Sequence, residues 1–117
     1  MPDSIVIIPT YNEKENISGI VTAVFALDQQ FHVLVIDDSS PDGTAQIVKD
    51  MQAAYPGRLF IEERKGKQGL GTAYIYGFRW ALERGYGYIF EMDADFSHNP
   101  KNLDNLYEAC LQGADLA

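Results

Sequence analysis

Short apolar runs rich in β-branched residues alternate along this chain with longer stretches whose apolar residues recur at helical spacing. That alternation is the signature of βαβ units. The first run, 4–8 (SIVII), is closed by Pro9, which has no N–H to give a central ladder. Helical spacing over 14–27 puts Ile17, Ile20, Val21, Val24 and Phe25 on one face, with Asn12 and Glu15 as a capping start. A second, wholly apolar strand over 32–36 suits a sheet covered by helices on both faces. The run SSPDGT makes a turn, a helix over 44–54 follows, and Pro56-Gly57 ends it.

A short strand over 59–61 and the glycine-rich stretch 66–71 lead to a third helix, with Tyr74, Phe78, Ala81 and Leu82 on its buried face and Gly85 as its stop. A fourth strand spans 88–92. Asn99 and Pro100 then open a fourth helix with Leu103, Leu106, Tyr107, Cys110 and Leu111 on one face, ended by Gly113. Four residues remain, so the sequence reads as cut within a fifth βα unit.

A length of 117 residues allows one domain at about 150 residues each, and 46% hydrophobic with 22% charged residues excludes disordered, collagen-like and coiled-coil classes. Nine Lys and Arg against seventeen acids, a net charge of −8, exclude nucleic acid as a partner, because little basic surface is left to neutralise a phosphate backbone. No apolar run approaches the ~18 residues of a membrane span, and the start lacks the basic and apolar regions of an export signal. The chain as given therefore reads as soluble. The single Cys110 can form no internal disulfide, which fits a reducing compartment.

Right-handed crossovers place these strands in one mostly parallel sheet, whose ligands bind beyond the carboxyl ends of the strands where strand order reverses. Three polar clusters lie there: Thr10 to Glu13 after the first strand, Asp37 to Ser40 after the second, and Asp93, Asp95, Ser97 and His98 after the fourth. Asp93 and Asp95 have the same parity and so converge as part of an oxygen cage, which favours Mg²⁺ or Mn²⁺ over zinc. A helix-capping turn is the alternative. Asp37 and Asp38 face opposite sides, so they cannot share one task; one can accept hydrogen bonds from a base or ribose, or the pair can build a turn with Ser39, Asp42 and Gly43. Tyr11 can stack on a base or pack at the strand end. Arg64 to Gly71 offers Lys65, Lys67 and three glycines as an anion cradle beside the third helix, although it matches neither common phosphate-loop pattern. His32 reads as a solvated strand-start residue.

The segments IIPTYNEKENI (7–17), VIDDSSPDGT (35–44), GKQGLGTAY (66–74) and MDADFSHNP (92–100) resemble, in order, family 2 glycosyltransferases of the GT-A type, and within them the dolichyl-phosphate or polyprenyl-phosphate mannosyltransferases. The resemblance implies a Rossmann-like, three-layer α/β fold with a mostly parallel sheet, broken off after the fourth βα unit. It makes 1–117 the nucleotide-sugar-binding part, without the acceptor half. It also implies transfer of mannose from GDP-mannose to a polyprenyl phosphate by metal-assisted inverting displacement. Pro9, Tyr11 and Glu13 match the family's nucleotide-contacting loop, and Ile36 with Asp38 match its base- and ribose-holding positions; Lys67, in the third segment, is placed with them. Asp93 and Asp95 match the metal-binding DxD pair, with Ala94 lending backbone; Ser97 stands where some relatives carry a Gln ligand.

The same resemblance implies a parent protein at the cytoplasmic face of a membrane, and the missing half implies self-association through the open edge. Four alternatives have different tests, one being a sugar nucleotidyltransferase, which would want a glycine-rich loop after its first strand. A UDP-sugar or another acceptor would keep the class; a phosphotransferase with Asp93 as nucleophile would want its pair after the first strand; a non-catalytic nucleotide-binding module would bind without turnover.

Overall fold

The computed structural model describes residues 4–27, 31–65 and 70–92. Four strands and three helices alternate in it: β1 (Ser4–Thr10), α1 (Ile17–Phe25), β2 (His32–Asp37), α2 (Thr44–Met51), β3 (Leu59–Glu63), α3 (Leu70–Glu83) and β4 (Tyr88–Glu91). The strands form one parallel sheet in the order β3-β2-β1-β4. The α/β, mostly parallel expectation is met. The expected fourth helix lies outside the described residues.

Parity along the strands sorts the core into two layers. Val6, Ile8, Val33, Val35 and Phe90 turn to the face covered by α1 and α2, where they pack with Ile17, Ile20, Val21, Val24 and Val48. Ile5, Ile7, Leu34, Ile36 and Ile89 turn to the other face and meet Ala73, Trp80 and Ala81 of α3. Right-handed crossovers dictate this split: the chain steps from β1 outward to β3, then returns past β1 to β4, so α3 must cross on the opposite face. The reversal lies between β1 and β4.

Four local expectations need correction. β1 does not stop before Pro9 but runs on to Thr10. The carbonyl of Ile7 accepts from the N–H of Met92, so residues of that parity address β4, and the β1–β4 register ends at Ile7↔Glu91. The N–H that Pro9 lacks would point beyond that register, and no β1–β4 rung is broken. The first helix begins at Ile17 with Asn16 at its cap, not at Lys14 with Asn12, because the Glu13 carbonyl accepts from the N–H groups of Asn16 and Ile17 in a preceding turn.

The buried face of α3 is Ala73, Gly77, Trp80 and Ala81, whereas Phe78 and Leu82 are exposed. Small residues win that face because the helix rides close on β1: a Cβ on Gly77 would come within 2.7 Å of Ile7 Cγ2. His32 is not simply solvated. Its Nδ1 lies 2.5 Å from the Tyr86 hydroxyl, and its ring packs between Tyr86 and Phe60.

Candidate functional site at the carboxyl edge of the sheet

At the carboxyl edge of the sheet the pairing of β1 with β2 reaches Thr10↔Asp37, and the described pairing with β4 reaches Ile7↔Glu91, one residue before the described residues end. This edge, at the reversal of strand order between β1 and β4, is where open α/β sheets place their ligands. Its described segments are the loop after β1, residues 11–16, and the turn after β2, residues 38–43.

Side chains from the turn hold the loop by its backbone. The N–H of Asn12 donates to Ser40 Oγ (2.9 Å), that of Glu13 to Thr44 Oγ1 (3.0 Å) and that of Lys14 to Asp42 Oδ2 (3.1 Å). The acceptors are themselves fixed. Ser40 Oγ donates to Asp37 Oδ1 (2.6 Å), and Asp42 Oδ1 accepts from both the N–H (3.0 Å) and the hydroxyl (2.5 Å) of Thr44. Burial by itself would raise the Asp42 carboxyl, but the Thr44 hydroxyl and the two N–H groups outweigh it and hold the carboxyl below its ordinary value. Asn12 (φ 56°) and Ser39 (φ 55°) both occupy the left-handed region, a conformation that persists in non-glycine residues only where the surroundings over-determine it.

The two adjacent aspartates divide their work, as their parity requires. Asp37, fully buried, is an organiser: its Oδ1 accepts from the hydroxyls of Thr10 (2.6 Å) and Ser40, and its Oδ2 from the Ser40 N–H (3.0 Å). Asp38 takes the Arg64 guanidinium bidentately, Nε to Oδ1 at 2.7 Å and Nη2 to Oδ2 at 2.9 Å. Arg64 also donates from Nη1 to Thr72 Oγ1 in the first turn of α3 (3.1 Å).

The sequence-derived site residues are only partly assembled here. Pro9 is buried near the end of β1, Tyr11 is 37% exposed just after it, and Glu13 is half-buried with its N–H and carbonyl both engaged in the loop. The Ile36 side chain lies in the core with Ile7, Leu34 and Ala73, so main chain is what it can offer a ligand. Lys67, Asp93, Ala94 and Asp95 lie outside the described residues. Among the described residues no group of three or more His, Cys, Asp or Glu could hold a metal, and no helix is long and apolar enough to cross a membrane. Ser40 and Arg64 are expected at this edge only as members of a polar cluster and a basic segment, and Thr44 is not singled out by the sequence at all. Only their place at strand ends and helix starts hinted at them, since each partner lies far away in sequence.

The sequence profile of Glycosyl transferase family 2 matches residues 5–117, nearly the whole chain. The chain belongs to glycosyltransferase family 2. A polyprenol monophosphomannose synthase of Mycolicibacterium smegmatis is 50% identical over 114 residues, which cover 97% of this chain and 43% of that one. An undecaprenyl-phosphate mannosyltransferase of Micrococcus luteus is 48% identical over 110 residues, 94% of this chain and 44% of its own. Among solved structures, the mannosyltransferase PcManGT of Pyrobaculum calidifontis, in complex with GDP-Man and Mn²⁺, superposes with a TM-score of 0.63 at 29% identity, over 68% of this chain and 24% of that one. This family 2 chain thus spans less than half the length of the curated relatives it matches.

Proposed function

We propose that the chain is the donor-binding part of a polyprenyl-phosphate mannosyltransferase, which moves mannose from GDP-mannose to a polyprenyl phosphate with inversion. The observation that carries this reading is the loop after β1 and the turn after β2, tied together by hydrogen bonds at the carboxyl edge of the sheet where strand order reverses. The relatives' names supply the sugar and the lipid class, and the PcManGT complex supports GDP-mannose as donor.

Pro9, Tyr11, Glu13, Ile36 and Asp38 would line the nucleoside end, with Lys67, Asp93, Ala94 and Asp95 toward the diphosphate. Asp93 and Asp95 would hold Mg²⁺ or Mn²⁺, which when bound offsets the charge that develops on the departing diphosphate. A phosphate acceptor arrives already anionic, so displacement at the anomeric carbon requires no general base, and none is assigned. A lipid acceptor supports a parent protein at the cytoplasmic face of a membrane. Ile75, Phe78 and Leu82, exposed along α3, support self-association of this chain; a monomer in sedimentation velocity at micromolar concentration would refute that part.

The test is a thermal-shift titration with GDP, UDP and their mannose and glucose conjugates, with and without Mn²⁺. Ligand at 100 times its Kd stabilises the native state by about 2.7 kcal/mol. A metal-dependent shift is expected with GDP and GDP-mannose. A shift with UDP alone would replace the donor, and a folded chain that responds to no nucleotide would refute the reading.

A further inference from the structure

Arg64 is the first residue after β3, 8% exposed, yet its contacts reach three other segments. Its N–H donates to the Asp37 carbonyl (2.7 Å), its carbonyl accepts from Ser39 Oγ (2.5 Å), and its guanidinium joins Asp38 to Thr72. The Asp38 and Arg64 side chains are each 7% exposed, so neither charge is compensated by water. In the rest of the loop–turn network Asp37 and Asp42 accept from hydroxyl and N–H donors, with the Lys14 charge adding to them at Asp42. A guanidinium spent on Asp38 has a different consequence.

We propose that Arg64 is a positioning residue for donor binding: it fixes the Asp38 carboxylate at the carboxyl edge of the sheet, offsets its charge, and ties it to the first turn of α3 through Thr72. The inference rests on the nucleotide-sugar reading. The bidentate fork holds both oxygens of Asp38 in one plane and so sets the direction of its carboxylate. A neutral pair also adds no repulsion toward a diphosphate, which an unpaired buried aspartate in a chain of net charge −8 would do. Through Thr72 the nucleoside end becomes mechanically joined to the helix that follows the glycine-rich segment.

Arg64→Lys keeps the charge and removes the fork; Thr72→Val removes, at an exposed position, the hydroxyl that accepts from Arg64, and Thr72→Ser restores it. GDP affinity by calorimetry and ligand-free Tm are measured for each. Arg64→Lys should weaken GDP at least tenfold. Thr72→Val should weaken it about threefold with the ligand-free Tm held within 2 °C, and Thr72→Ser should recover wild-type affinity. Wild-type GDP affinity in Thr72→Val, or in the folded fraction of Arg64→Lys, would overturn the positioning role while leaving the nucleotide reading intact. A folded wild-type chain that binds no nucleotide would overturn both.

Discussion

Replacing Gly77 by alanine sets two ordinary effects against each other, and the geometry decides between them. In a helix interior alanine is favoured over glycine by about 1 kcal/mol. Here the new methyl would sit 2.7 Å from Ile7 Cγ2, 3.0 Å from Cδ1 and 3.2 Å from Cγ1, against the ~3.5–4.0 Å of a comfortable carbon contact. Ile7 is fully buried and paired on both sides, to Leu34 and Glu91, and Cγ2 hangs directly on its Cβ, so it cannot swing away as the end of a long side chain could. Overpacking of this kind costs about 1–3 kcal/mol, and a clash this deep belongs in the upper part of that range.

The net loss should be about 1 kcal/mol or somewhat more, a fall in Tm of about 4–8 °C per kcal/mol in a domain of this size, read by calorimetry. Ile7→Val keeps the offending branch methyl and should not rescue. Ile7→Ala removes the contacting atoms, so in that background Gly77→Ala should become neutral or stabilising. Gly71→Ala, earlier in the same helix and with open space around it, should gain up to about 1 kcal/mol. A higher Tm for Gly77→Ala, or an equal loss in the Ile7→Ala background, would refute the close-approach argument.

Partial burial, with the Arg58 charge acting in the same direction, lowers the His32 pKa below its ordinary value, so the unfolded chain binds the proton more readily. That stability is complete above pH ~6.5 and is lost as pH falls through the folded-state value; His32→Gln should flatten Tm against pH between 8 and 5, and a curve parallel to wild type would refute it. Asp42→Ala removes the acceptor for Lys14 and Thr44 and should lower stability by about 1–2 kcal/mol, the scale of a lost helix cap. Because the Asp42 carboxyl is held below its ordinary value, the wild-type advantage should be present above pH ~4 and vanish as pH drops through the folded-state value; an advantage that persists in acid would show that the charge is irrelevant.

The fold was legible because each strand carries its own sign: HVLVID is apolar on both faces, and Ile17 to Val24 keep a helical stripe. The position of the site was legible for a similar reason, since polar residues begin where β1 and β2 end. Two kinds of fact were hidden. The packing face of α3 depends on how close the helix sits to Ile7, and hydrophobicity ranks Phe78 and Leu82 above Ala73 and Gly77 although only the small pair fits. The partner of Asp38 lies 26 residues away, and composition cannot say which arginine a carboxylate meets. Proline does not end β1, because its missing donor matters only on the side where a neighbour is waiting.

That side of Pro9 has a larger consequence. β1 is zipped to β2 up to Thr10, whose carbonyl still receives the Asp38 N–H, but toward β4 it has nothing to donate after Ile7. The seam with β4 thus carries a chemical stop one rung below the seam with β2. Any other residue at position 9 would supply an N–H there, a donor that a neighbouring strand could take up as one more rung. An imino acid in the middle of the sheet, by withholding a single hydrogen, denies the β4 side that rung at the edge where strand order reverses.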